Sequence, residues 1–231
     1  MLNIDINKLK ISYKDNTLVD IAFNINSSTA LIGESGSGKS LTLKSILNLL
    51  PQSLNIEKEI NSSFPLNYET IGFIPQNPFT SLSPMTKISK QFFCKKEKQL
   101  ELLKLVDLEK DVLNKFPNQL SGGQIQRVII AIALSKNIKL LLLDEPTTAL
   151  DAKNKENIIK LVDQLVKKLN ILILFVTHDI ESIKDLCTNI VIINKGEIVE
   201  QGSCLEILNN PKNEYTKKLI DSNFKNKDFR K

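Results

Sequence analysis

Thr29-Ala30-Leu31-Ile32-Gly33-Glu34-Ser35-Gly36-Ser37-Gly38-Lys39-Ser40-Leu41-Thr42 is the stretch that decides the fold. A short strand-like run enters a turn spelling G-x-x-x-x-G-K-S, and a helical pattern continues from Lys39 to Leu50, where Pro51 is expected to stop it. In such a strand–loop–helix unit, successive backbone N–H groups at the helix N-terminus can cradle phosphate oxygens. Lys39 can reach the β and γ phosphates of a nucleotide, and the Ser40 hydroxyl can ligate Mg²⁺. Glycine is needed there because a Cβ would block the close approach. The chain is sparing with glycine, having 8 in 231 residues, and Gly33, Gly36, Gly38, Gly122 and Gly123 fall in just two motifs.

Upstream, period-two apolar residues at Leu2, Ile4, Ile6, then Leu9, Ile11, Tyr13, then Ile21, Phe23, Ile25 predict a small antiparallel sheet. Pro51 to Glu69 is polar and poorly patterned, and Thr70 to Ile74 reads as a strand leading to Pro75-Gln76-Asn77-Pro78. A strand-free block follows, with helical spacing from Gln91 to Asn114 and a further helix from Gly122 to Ser135. Strands at 139–143, 171–176 and 190–193 then alternate with helices at 153–169 and 180–186, which implies a parallel sheet covered on both faces. Asn194-Lys195-Gly196 turns the chain into a hairpin at Glu197 to Glu200, before two short helices. The expected fold is α/β.

Composition supports one globular domain: 42% apolar and 25% charged residues exclude disorder and a fibrous chain. The net charge of +5 is scattered, and aromatic residues make up 6%, so a dedicated nucleic-acid surface is not expected. Of 31 basic residues 29 are lysine, beside many Asn and Ile, which reads as coding bias. Cys94, Cys187 and Cys204 match no disulfide framework or zinc spacing and read as free thiols in a reducing cytoplasm. No signal peptide is expected, and the apolar runs fall far short of the roughly 20 residues a membrane helix needs.

Two further stretches bear chemistry. Leu140-Leu141-Leu142-Leu143-Asp144-Glu145 is a buried-strand pattern ending in two acids, where Asp144 can hold Mg²⁺ and Glu145 can take a proton from attacking water. Leu120-Ser121-Gly122-Gly123-Gln124 opens a helix, and there Ser121 serves equally as a plain N-cap or as part of a second anion site.

Gly33 to Ser40, Gln76, Leu120 to Gln124, Leu140 to Glu145, Ala149-Leu150-Asp151 and His178 together resemble, in order and spacing, the ATP-binding-cassette (ABC) ATPases. The resemblance covers nearly the whole chain. It implies a P-loop NTPase (RecA-like) core with a mostly parallel sheet, an N-terminal antiparallel β-subdomain and a short inserted helical subdomain. On this reading residues 1–78 and 125–205 form the core with the β-subdomain, 79–124 the helical subdomain, and 206–231 a helical tail. The implied cofactors are ATP and Mg²⁺. Tyr13 would stack on adenine, although its alternation with Ile11 also suits an ordinary sheet residue. Gly33, Gly36, Ser37, Gly38, Lys39, Ser40 and Leu41 would hold the phosphates; Ser40, Gln76 and Asp144 the metal; Glu145, His178 and Gln76 the catalytic roles. Ser121, Gly122, Gly123, Gln124 and Asp151 would complete the site of a second cassette in a head-to-tail dimer, either a homodimer or a heterodimer with another ABC ATPase.

Within that family, Gly38 to Thr42, Leu49-Leu50-Pro51, Gln76-Asn77-Pro78 with Ser81-Leu82-Ser83-Pro84, Asp144 to Thr148, and Asn210-Pro211-Lys212 with Tyr215-Thr216 look like ATPases of peptide and nickel importers. That implies transmembrane permease subunits as partners, an indirect link to an extracytoplasmic solute-binding protein, and a peripheral place on the cytoplasmic face of the inner membrane. An exporter or lipoprotein-releasing system is the alternative, and a soluble cassette protein a remoter one. Two departures stand out. Gln76 and Leu120 lie only 44 positions apart, so the helical subdomain is expected to be trimmed, and Asn26-Ser27-Ser28-Thr29 replaces the usual Gly-Glu before the first core strand. No sizeable regulatory domain is expected after Tyr215-Thr216.

Overall fold

The computed structural model describes residues 1–148 and 150–225. Ala149, one of the residues carrying the resemblance, and positions 226–231 of the expected tail lie outside the described residues. The chain divides into two compact units, one formed by Met1–Leu66 with the segment from Leu172 onward, the other by Asn67–Ile171.

In the first unit the alternating apolar residues of the N-terminus become β1 (Ile4–Tyr13) and β2 (Asn16–Ile25), an antiparallel pair. The two period-two runs before residue 14 are a single strand, because register shifts after Ile6 let Leu9 and Ile11 regain the buried face. The segment read as unpatterned contains β4 (Asn55–Ser62), antiparallel to β1. It carries no alternation because nearly every residue is exposed. Charged side chains such as Glu57, in a 2.6 Å ion pair with Lys8, line it as an edge strand.

The core of this unit is parallel: β3 (Thr29–Ile32) lies between β7 (Leu172–Thr177) and β8 (Asn189–Asn194). All of β3 and β7 is buried, so neither strand alternates. β9 (Glu197–Ser203) returns antiparallel to β8 and touches β2 in parallel at Asp20 and Glu197. The altered turn before β3 is tied down by its polar residues. The Asn189 side-chain amide donates to Asn26 Oδ1 at 3.1 Å and to Ser27 Oγ at 3.0 Å, and the Thr188 N–H donates to Ser28 O at 2.9 Å.

α1 (Lys39–Ile46) stops four residues before the expected end. Asn48 takes a left-handed φ of 56°, with Asn48 N–H donating to Ser45 O and Leu49 N–H to Lys44 O, a Schellman closure that ends the helix ahead of Pro51. The unit closes with α5 (Glu181–Lys184), α6 (Cys204–Asn209) and α7 (Glu214–Lys225).

The second unit pairs β5 (Ile71–Ile74) in parallel with β6 (Leu140–Asp144). Residues expected as one helical stretch from 91 to 114 are instead α2 (Lys96–Leu105) flanked by 3-10 turns at Ile88–Lys90 and Lys110–Asn114. The break falls at Asp107, with φ 53°, where Arg127 of α3 (Gly122–Ala133) donates to Val106 O at 2.7 Å and Asp107 Oδ2 at 3.1 Å. α4 (Ala152–Leu169) completes the unit with an apolar face of Ile158, Leu161, Val162 and Leu165. No helix among the described residues is long and apolar enough to cross a membrane, and the three cysteines are free thiols.

Candidate functional site

In the first unit, β3 delivers the chain into the glycine-rich turn and the turn delivers it into α1. A Cβ on Gly33 would lie 2.2 Å from Ile193 O and 2.6 Å from Ser37 Oγ, so the strand end admits only glycine. Gly36 and Gly38 have φ of 81° and 108°, and Gly38 caps α1. The turn thus aims its N–H groups along the start of the helix. Lys39 is only 6% exposed and donates from Nζ to Gly33 O at 2.9 Å and Glu34 O at 2.8 Å. A buried ammonium at a helix N-terminus places two sources of positive potential together, which fits an anion. Ser37 Oγ is buried without a hydrogen-bond partner and is one more polar group for such a ligand. Ser40 is exposed and Leu41 half-buried.

Tyr13 ends β1, 44% exposed, with the Lys14 ammonium 5.5 Å from its ring centroid. The ring is thus partly exposed, with a cation over one face. His178 follows β7 and is exposed, in a segment fixed by the Asp179 N–H donating to Thr177 Oγ1 at 3.0 Å.

In the second unit, register does the positioning. Ile74 of β5 stands beside Leu143 of β6, so Gln76 and Glu145, each two residues further on, emerge side by side. The Gln76 side-chain amide donates to Glu145 Oε2 at 3.3 Å, and the Thr148 hydroxyl donates to the same oxygen at 3.1 Å. Glu145 has φ 45°, a left-handed conformation that a non-glycine residue adopts at a cost and that here turns its carboxylate toward both donors. Asp144, half-buried at the strand end, and the Gln76 amide are oxygen ligands of the hard kind that Mg²⁺ takes, as is the Ser40 hydroxyl in the first unit.

The Ser121 segment forms a complete capping box. The Gln124 N–H donates to Ser121 Oγ at 3.3 Å, and the Ser121 N–H donates to Gln124 Oε1 at 3.0 Å. The N-cap reading of Ser121 therefore holds in this structure. The first N–H groups of an α-helix have no intrahelical partner, so the cap does not use up the donors that a second anion site would need. Asp151 caps α4, accepting from the Asn154 N–H at 2.9 Å and the Asn154 side-chain amide at 2.6 Å, and these bonds hold its carboxyl below the usual range. Asn154 also packs on the start of α3, since a Cβ on Gly123 would lie 3.0 Å from Asn154 Oδ1. Sequence reasoning missed Asn154 and the Thr148 hydroxyl. Each stands three residues after an acid, a spacing that marks a cap or a tight turn.

The ABC transporter family matches residues 18–148 of this chain. The oligopeptide transport ATP-binding protein OppD of Bacillus subtilis is 38% identical over 222 residues, covering 84% of this chain and 62% of that protein. The methionine import ATP-binding protein MetN of Helicobacter pylori is 40% identical over 208 residues, covering 82% of this chain and 63% of that protein. The chain therefore spans less than two thirds of the length of both relatives. Among solved structures, a dimeric ATP-binding cassette in a post-hydrolysis state bound to ADP and Pi superposes with a TM-score of 0.70 at 29% identity, over 87% of this chain and 98% of that one. The family model spans more than half of the chain, and the chain belongs to the ABC transporter family.

Proposed function

We propose that the chain binds ATP with Mg²⁺, hydrolyses it to ADP and phosphate, and in doing so powers solute uptake through a membrane permease. The observation that carries nucleotide binding is Lys39, an ammonium only 6% exposed, set at the mouth of α1 behind a turn of two positive-φ glycines. Its bonds to Gly33 O and Glu34 O hold the charge inside the glycine-rich loop beside a helix N-terminus, where positive potential favours an anion.

In this reading the N–H groups of Gly36 to Ser40 and the Lys39 ammonium neutralise the β and γ phosphates, and Tyr13 stacks on adenine. By the family resemblance, Ser40, Asp144 and Gln76 would hold Mg²⁺, which would supply charge neutralisation on the phosphate oxygens. Glu145 accepts the proton of the attacking water as the γ-phosphorus to bridging-oxygen bond breaks, and ADP leaves. Gln76 and Thr148 fix the Glu145 carboxylate through Oε2. His178 steadies the water and the γ-phosphate. The Ser121 to Gln124 helix start and Asp151 serve the nucleotide of a second cassette, as the dimeric ADP-bound relative suggests.

The oligopeptide transport relative favours short peptides as cargo. By the family resemblance, a permease and an extracytoplasmic binding protein are the partners and the cytoplasmic membrane face the place of work. Nickel is the competing cargo. Tagged Glu145→Gln protein, solubilised from membranes with ATP and Mg²⁺, tests the assembly. Co-purification of multi-span membrane proteins and of a cassette partner supports the importer reading, and recovery of ribosomal or DNA-bound partners alone overturns it. Uptake of labelled tripeptide or of nickel by cells carrying the system then decides the cargo.

A further inference from the structure

α7 reaches the phosphate loop. Its first turn places Tyr215 so that the hydroxyl accepts a hydrogen bond from the Glu34 N–H at 3.1 Å, across 181 residues of sequence. The peptide unit that carries this N–H is engaged on its other side, because its carbonyl, Gly33 O, accepts from Lys39 Nζ at 2.9 Å, while the next carbonyl, Glu34 O, accepts from Lys39 Nζ at 2.8 Å and from the Ser37 N–H at 3.2 Å. The chain of contacts therefore runs from the Tyr215 hydroxyl through one peptide unit to the ammonium proposed to meet the phosphates. Tyr215 is half-buried, and burial, opposed by the Glu34 N–H, raises its hydroxyl above the ordinary tyrosine range, so it stays a neutral acceptor at physiological pH.

α7 is itself well anchored for this work. The carboxylate of Glu200 in β9 takes the N–H groups of Lys212 at 2.8 Å and Asn213 at 3.1 Å, and Asn213 Oδ1 accepts from the Tyr215 N–H at 2.8 Å. Thr216, Leu219 and Ile220 bury the adjoining face. Two turns on, Asn223 Oδ1 accepts from the Ile180 N–H at 3.4 Å, two residues beyond His178. One helix thus touches both the phosphate loop and the histidine segment.

We propose that Tyr215 is a positioning residue for ATP binding, its hydroxyl fixing the Glu34 peptide and through it the seat of Lys39. This rests on the nucleotide reading of the phosphate loop and adds to it a distal residue that no phosphate touches. Tyr215→Phe keeps the ring and its packing and removes only the acceptor of the Glu34 N–H. Loss of one neutral hydrogen bond translates to an increase of about two- to tenfold in the ATP dissociation constant and in KM. The turnover at saturating ATP should stay within about a factor of two, since Glu145 and Gln76 lie in other elements.

The experiment compares the full chain with Tyr215→Phe by calorimetric titration of Mg·ATP, by steady-state ATPase kinetics and by thermal melting. A raised dissociation constant and KM, with kcat unchanged and Tm lower by no more than about 2–6 °C, is the expected result. Wild-type affinity and KM in the variant overturn the role of Tyr215 while leaving the phosphate-loop reading intact. A lowered Tm with a parallel fall in kcat makes Tyr215 a packing residue and overturns the role as well. Failure of the wild-type chain to bind ATP overturns the underlying reading and the proposal together.

Discussion

Gly33→Ala puts the geometry of the phosphate loop under the sharpest test. The added methyl carbon would sit 2.2 Å from Ile193 O, where separations below 3.0 Å are essentially never seen. Ile193 cannot retreat cheaply, because β8 is paired with β3 on one side and β9 on the other. Ser37 Oγ, 2.6 Å away, is buried as well. The loop itself must therefore move, by on the order of 1 Å, a displacement that elsewhere costs about a hundredfold in function. Overpacking of this kind costs about 1–3 kcal/mol, or roughly 2–12 °C in Tm for a chain of this size. Gly36→Ala is the internal control: its Cβ would meet nothing within 4 Å, so it carries only the penalty of a left-handed alanine, about 1–2 kcal/mol. Thermal melts and Mg·ATP titration of both variants read the difference. Gly33→Ala should lose ATP affinity by more than tenfold relative to Gly36→Ala. Equal affinities would refute the argument that Gly33 holds the loop in place by close approach.

Lys39→Ala removes the charged bonds to Gly33 O and Glu34 O together with the proposed phosphate contact, and ATP affinity should fall about 10- to 100-fold in the same titration. Ser121→Ala opens the capping box of α3 and should cost about 1 kcal/mol of stability in urea unfolding, while also weakening ATP-driven dimerisation seen by light scattering. Burial pushes the Glu200 carboxyl up, but the Thr216 hydroxyl together with the Lys212 and Asn213 N–H groups outweighs it and holds the group below its ordinary value. A lowered folded-state value stabilises above the unfolded carboxyl range, near pH 4.3, and the gain is lost as pH falls through the folded value. Wild-type Tm should therefore exceed that of Glu200→Gln at pH 7 and converge with it on the acid side, and parallel curves would contradict this.

The parallel core and the phosphate turn were legible because burial on both faces leaves continuous apolar runs, and because G-x-x-x-x-G-K-S has one structural meaning between a strand and a helix. β4 was not legible, since an edge strand with charged side chains on both faces has no periodicity to read. The end of α1 was misplaced by reading Pro51 as the stop, when Asn48 in the left-handed region had already closed the helix. The helical stretch from 91 to 114 kept its spacing but broke at Asp107, where Arg127, twenty residues away, captures the free carbonyl of Val106. In the candidate site, residue types were readable and their partners were not. Thr148 on Glu145 and Asn154 on Asp151 are local pairs whose geometry only the turn supplies, and Tyr215 on Glu34 joins distant segments through tertiary packing.

The central claim is that Glu145 is the base of an ATPase, and single-turnover phosphate release from Mg·ATP by wild-type and Glu145→Gln protein tests it most directly. The amide keeps an oxygen that can accept from Gln76 and Thr148, so the fold and ATP affinity should persist while the rate falls about 10²- to 10⁴-fold and a closed dimer accumulates. Phosphate release at the wild-type rate by Glu145→Gln would contradict the account.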